Sequence, residues 1–173
     1  MSLLIRPERA SDHAAVAELV TAAFAQETEA QLIAALRSDE AFIPGLSLVA
    51  EQEGSIAGHI LFTKIQIVSE SGETHESLAL APMAVRPGFQ KQGIGAALIR
   101  HGLKAAKALG YASVIVLGHA EYYPKFGFVP ASKWKITSPF EVPDEVFMGL
   151  ELREGGLDGV SGRVKYAKAF EMF

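Results

Sequence analysis

Apolar and polar residues change their period along this chain, and the changes predict its elements. Leu3, Leu4 and Ile5 form a short apolar run that Pro7 ends, a strand. Val16, Leu19, Val20, Ala23 and Phe24 fall on one helical face, with Ser11 placed to cap that helix. Thr28 and Gln31 have capping-box spacing ahead of Leu32, Ile33 and Leu36, a second helix. Residues 46–51 and 55–68 have strand character, and Glu53-Gly54 is the turn between them. Gly72 marks a turn to another strand, 77–85, which Arg86-Pro87-Gly88 stops.

Helical period returns over 93–109. Ile94, Ala97, Leu98, His101, Ala105 and Leu109 share a face, Lys104 and Lys107 complement the dipole near the end, and Gly110 suits the position just past it. Val114-Ile115-Val116-Leu117 is a run of buried-strand type. Strand, helix and strand in this order make a β-α-β unit, so 77–85 and 114–117 are expected to lie parallel. A short helix at 121–126, strands near 129–136 and 145–152, a Gly-rich loop at 155–162 and a last segment, 163–173, follow. The mixture predicts one α/β domain over 1–173, free of repeats.

Composition narrows the chemistry. With 173 residues, 49% hydrophobic and 21% charged, the chain buries a core of ordinary size and needs no metal or disulfide to fold. It has no Cys, which removes disulfides, thiolate metal sites and a cysteine nucleophile, and favours the cytoplasm. Sixteen Lys and Arg against twenty Asp and Glu give a net charge of −4, which argues against a nucleic-acid binder. No apolar run is long enough to span a membrane, and the first residues lack the pattern of a signal peptide. His13, His59 and His101 show no metal-ligand spacing, so no metal is expected.

The candidate chemistry lies in Gln90-Lys91-Gln92-Gly93-Ile94-Gly95-Ala96, between a predicted strand and a helix start. Free amides and the dipole's positive end make such a place a phosphate site. Gly88 and Gly93 have the Walker spacing, but Ile94-Gly95 stand where Lys and Ser or Thr are required. The dinucleotide fingerprint needs a third Gly at Leu98. Both motifs fail. Further on, Tyr123-Pro124-Lys125-Phe126-Gly127-Phe128 places a tyrosine in an aromatic cluster; taken by themselves, Tyr122 and Tyr123 read as packing residues.

Taken together, these features resemble the GNAT superfamily of acyl-CoA-dependent N-acyltransferases. Gln90, Gly93 and Gly95 fit its Gln/Arg-x-x-Gly-x-Gly/Ala turn, and Tyr123, Gly127 and Phe128 fit its Tyr-x-x-x-Gly-Phe. The predicted element order matches from about residue 3 to 152, leaving 153–173 as an extension. The resemblance implies a mixed, mostly antiparallel sheet with flanking helices, two of whose parallel strands splay apart. It implies acetyl-CoA as acyl donor, its pantetheine arm paired with the backbone of Met83, Ala84 and Val85. Its pyrophosphate would rest on the amides of Gln90, Lys91, Gln92, Gly93, Ile94, Gly95 and Ala96.

By the same resemblance the reaction is direct attack of a primary amine on the thioester. Met83 N–H is the oxyanion donor and Tyr123 the general acid, with Tyr122 a neighbour one position off the motif. A phenol of pKa about 10 giving its proton to a thiolate of about 8.5 runs uphill by about 2 kcal/mol, so donation accompanies C–S cleavage. The base stays open among His119, Glu76 and water; Ala79 and Ala81 stand where some relatives carry Glu or His. Many relatives also have an Asn after the second splayed strand, and this chain has no Asn. The acceptor is an amine-bearing small molecule or peptide, with Glu27 and Glu29 beside its expected place, and a homodimer fits the family. The rival reading is an acyl-CoA-binding sensor without turnover.

Overall fold

Glu53 and Gly54 both take positive φ, 52° and 80°, the turn geometry that matches strand twist. They join Phe42–Gln52 to Ser55–Val68 at the predicted place. The computed structural model describes residues 2–172. In chain order its strands are β1 (Leu3–Pro7), β2 (Phe42–Gln52), β3 (Ser55–Val68), β4 (Thr74–Val85), β5 (Ser113–Leu117), β6 (Val129–Pro130), β7 (Ile136–Thr137), β8 (Phe147–Glu151) and β9 (Gly162–Lys165). They make one mixed sheet in the order β1-β2-β3-β4-β5-β8-β6, with β9 on β3 and β7. The neighbours on that path are antiparallel except β4 and β5, which are parallel as expected. The helices are α1 (His13–Phe24), α2 (Thr28–Leu36) and α3 (Ile94–Ala108).

Helices cover both faces. Val16, Leu19 and Val20 of α1 and Leu32, Ile33 and Leu36 of α2 pack with Val49, Ile56, Leu61 and Ala84. On the other face Ile94, Leu98, Ile99 and Ala106 of α3 pack with Leu48, Ile60, Phe62 and Leu80. The expected α3 stripe is therefore rotated: Leu109 is 55% exposed and His101 is exposed. Gly102 explains the rotation, because the ring of Phe62 occupies the place its Cβ would take. A mid-helix Gly lowers stability by about 1 kcal/mol relative to Ala, and here it lets helix and strand approach. The α3 end follows expectation: Gly110 has φ 95°, Tyr111 N–H donates to Ala106 O, and Gly110 N–H to Lys107 O.

Other expectations change. Ser11 does not cap α1; it lies exposed in a 3-10 turn, Ala10–Asp12, and Phe24 is 39% exposed. Asp12 holds this corner instead, accepting from Arg6 Nη1 at 2.7 Å and from Arg9 N–H at 2.7 Å. The Thr28–Gln31 box does not form, since Glu27 already has helical dihedrals and Gln31 N–H donates to its carbonyl. The strand expected over 129–136 is broken into β6, a 3-10 turn Ala131–Trp134, and β7. Pro130 has no N–H for a ladder, and Lys135 turns left-handed at φ 59°. The extension is no appendage: β9 takes over the β3 edge, pairing Gln66 with Lys165 and Val68 with Arg163.

One buried polar network ties β2 and β3 to Glu8, just past β1, and Arg37, just past α2. Arg37 Nε and Nη2 both donate to the Glu8 carboxylate at 3.0 Å. His59 is fully buried, its Nε2 3.1 Å from Ser47 Oγ and 3.8 Å from Glu8 Oε1. Burial pushes the His59 pKa down to about 4 against the pull of Glu8, so the ring is neutral when folded. The unfolded chain binds a proton near 6.5 that the fold refuses until about 4, so this contribution is present above pH 6.5 and lost as pH falls through that window. Unfolding in urea is expected to show about 2 kcal/mol less stability at pH 5 than at pH 7, above the range where carboxylates titrate. A flat profile would mean that His59 is not held neutral.

Candidate active site

The β4–β5 pairing stops early. Leu78 faces Val114 and Ala79 faces Ile115, after which no pairs form, although β5 runs to Leu117 and β4 to Val85. Both strands keep their other partners: β5 pairs with β8 up to Leu117–Phe147, and β4 with β3 up to Val85–Gly58. The two strands therefore part as expected. The register on β3 slips just there, between Ile60 opposite Met83 and Phe62 opposite Leu80. Ala81 and Pro82 thus stand where β3 offers only Leu61, a bulge that bends β4 away from β5.

Register also tells which β4 peptides face the gap. Arg86 N–H donates to Ala57 O, which fixes the phase of the ladder. Two residues back, Ala84 turns its N–H and C=O to His59. Met83 and Val85 then aim theirs into the gap, and Gln90 Nε2 reaches Val85 O at 3.2 Å. Of the three predicted strand residues, Ala84 contributes surface and Met83 and Val85 contribute free edge.

The turn beyond β4 is built on left-handed residues: Gly88 at φ 95°, Lys91 at 65° and Gly93 at 85°. Gly93 caps α3, and Ala97 N–H, donating to Gly93 O at 3.0 Å, makes the first bond of the helix. The amides of Ile94, Gly95 and Ala96 are left for a ligand, at the positive end of the dipole. These groups line one cavity of about 410 Å³. Met83, Ala84, Val85, Gln90, Lys91, Gly93, Ile94, Gly95 and Ala96 all border it; Gln92 is exposed and does not. No acidic side chain lines it, and Lys91 is its one cation. That set fits an elongated ligand with a β-strand-like arm and an anionic end.

Phe89 and Tyr122 line the cavity as well. The signal for Phe89 was an aromatic inside a polar turn. Tyr122 reaches the start of α3, and a Cβ on Gly95 would stand 3.2 Å from its hydroxyl. Tyr123 is not among the lining residues. It is 8% exposed, with its ring against Gly118 just past β5 and T-shaped to Phe128 at 5.7 Å. Burial pushes its pKa up to about 12, so it is a neutral donor at any ordinary pH. Burial also raises that of Tyr122. No hydrogen bond joins either hydroxyl to another described residue.

The open question of a base gains little. His119 and Glu76 are exposed, and neither borders the cavity of Met83. Glu29 accepts from Gln26 Nε2 at 2.9 Å, and Glu27 is exposed. Among the described residues no cluster of His, Asp and Glu suits a metal, and no helix is long and apolar enough to cross a membrane.

Comparison with known proteins gives the family and the fold. The model of the Acetyltransferase (GNAT) family matches residues 13–128. N-acetyltransferase YjhQ of Escherichia coli K12 is 42% identical over 136 residues, 78% of this chain and 75% of that protein. N-acetyltransferase YhbS of Escherichia coli was crystallised in complex with CoA. It superposes with TM-score 0.89 at 30% identity, covering 99% of this chain and 93% of that one. A GNAT family acetyltransferase from Brucella melitensis, in complex with acetyl-CoA, has TM-score 0.78 and 32% identity, covering 98% of each chain.

Proposed function

The chain belongs to the acetyltransferase (GNAT) family, and from that premise we propose that it moves an acetyl group from acetyl-CoA to a primary amine by direct attack. The observation that carries this reading is the single cavity into which both the free β4 edge and the amides of α3 open. Acetyl-CoA supplies the thioester. Met83 and Val85 hold its amide-bearing arm as a strand would, and Ile94, Gly95, Ala96 and Lys91 take its phosphates. The structures of relatives holding CoA and acetyl-CoA support the choice of ligand.

The amine nitrogen attacks the carbonyl carbon, and charge develops on the carbonyl oxygen. Met83 N–H, unused by β3, donates to that oxygen. As the amide C–N bond forms and the C–S bond breaks, Tyr123 gives its proton to the departing sulfur, the attacking nitrogen releases its surplus proton to water, and Tyr123 regains one from solvent. Its place past the end of β5, against Gly118, supports this role, as does its unpaired hydroxyl. The ammonium of the acceptor loses its proton to water. The whole of 1–173 acts as one transferase domain, since β9 completes the sheet.

Two measurements on the purified chain test this. Acetyl-CoA is expected to raise the melting temperature while ATP does not, and primary amines are expected to accelerate release of CoA. With no Cys in the chain, a thiol reagent reads that release without background. Binding without amine-dependent release would favour the sensor reading, and an equal shift with ATP would refute the assigned cleft.

A further inference from the structure

On the face of the gap opposite α3 lies a second chamber, of about 230 Å³. Ala79 and Ala81 of β4 and Ile115 of β5 border it, and Phe140, Tyr166 and Phe170 close it. The side follows from packing: Ala79 and Ile115 belong to the cluster of Ile136 and Val164, which holds no α3 residue, while Leu80, which also borders the chamber, reaches it from the cluster of Leu98. Tyr166 stacks on Phe140, centroids 5.7 Å apart at 22°, and lies 5.4 Å from Phe170. The C-terminal segment is anchored there, since Asp39 accepts from Ala169 N–H at 3.2 Å and β9 pairs with β3.

We infer that this chamber receives the body of the acceptor, and that the acceptor is a primary amine carried on an apolar group, aromatic or branched aliphatic. The inference rests on the transferase reading and names its substrate class. Position comes first. Ala81 and Met83 flank Pro82 on one strand, so chamber and cofactor cleft lie on the same stretch of β4, where it parts from β5. Chemistry comes second. No carboxylate lines the chamber, so a polyamine would bring charges inside without partners. Tyr166 is its one polar side chain, and burial keeps that phenol neutral, with a pKa pushed up to about 12. Three rings and small alanines leave room for an apolar group of modest size. The acids near it border other cavities: Asp39 is already held by the amides of Ala41 and Ala169, and Glu76 and Glu171 are exposed.

The test follows CoA release with 2-phenylethylamine, isoamylamine and spermidine as probes, with the acetyl-CoA melting shift measured beside it. The apolar amines are expected to show kcat/KM at least about tenfold above spermidine. Phe140→Ala, a change at a 55% exposed loop residue, is expected to raise KM for 2-phenylethylamine about tenfold and leave the acetyl-CoA shift intact. Release with spermidine but not with the apolar pair overturns this inference and spares the transferase reading. Release with none of them, in protein that binds acetyl-CoA, overturns this inference and favours the sensor reading. Hexanoyl-CoA used faster than acetyl-CoA, with Phe140→Ala erasing the advantage, would give the chamber to the acyl chain and also overturn it.

Discussion

Tyr123→Phe is expected to lower kcat roughly 10²–10⁴-fold while KM for acetyl-CoA stays within about twofold. The ring stays and only the hydroxyl is lost, so the packing against Gly118 and Phe128 is kept. The hydroxyl has no partner in the fold to lose, so stability is expected to be unchanged. Its pKa of about 12 sharpens the chemistry. Against a thiol near 8.5, full transfer to a free thiolate would run uphill by about 5 kcal/mol. The proton must therefore move as the C–S bond breaks. It follows that the rate should rise with pH as the acceptor ammonium deprotonates and should not fall again below about pH 10 from loss of the Tyr123 proton. Tyr122→Phe is the control. Its hydroxyl lies by Gly95 at the start of α3, so it is expected to change KM for acetyl-CoA a few-fold and leave kcat nearly intact. The reverse pattern, a large loss for Tyr122→Phe and a small one for Tyr123→Phe, would move the acid to Tyr122.

Gly95→Val is expected to weaken acetyl-CoA binding at least about 100-fold without unfolding the protein. Gly95 is helical, and its backbone suits any residue. What fails is space: a Cβ would sit 3.2 Å from the Tyr122 hydroxyl and 3.6 Å from Met83 Cε and from Val85 Cγ2. A branched side chain then projects into the cleft and lifts the ligand off the first-turn amides. Hydrogen bonds to a charged group contribute about 1.5–3 kcal/mol each, so losing two of them reaches the stated factor. Thermal unfolding reads it directly. Ligand at 100 times Kd adds about 2.7 kcal/mol, or roughly 5–11 °C for a chain of this size. The same concentration given to the variant should add only about 0.4 kcal/mol, near 1–2 °C. An undiminished shift would show that the phosphates do not lie on this turn.

Much of the site was legible in the sequence because it is local. A turn of glycines between a strand and a helix fixes where free amides must appear, whatever the rest of the chain does. Gly93 and Gly95 thus marked a phosphate-type turn from their place between strand and helix, the acyl-CoA ligand coming from the resemblance, and the Glu53-Gly54 turn likewise marked its hairpin. The misread features depend on distant partners. Ser11 looked like a cap until Arg6 claimed Asp12. The α3 stripe looked to include His101 and Leu109 until Phe62 filled the space beside Gly102. The strand over 129–136 looked continuous because alternation is blind to where a partner strand ends.

By itself the sequence determined the order of the elements, the parallel β4–β5 unit and the composition of the glycine turn before α3. Each follows from interactions a few residues long: periodicity, turn dihedrals and unpaired first-turn amides. Only the tertiary structure decided which tyrosine borders the cleft and which leans on Gly118, since adjacent residues differ in direction and not in type. It alone decided that β4 presents Met83 and Val85 to the gap, because that phase depends on the register with β3 and its bulge at Pro82. It alone carried the last segment back to β3, placing Tyr166 and Phe170 over Ala79. Contacts between residues so far apart along the chain are selected by packing and leave no local pattern.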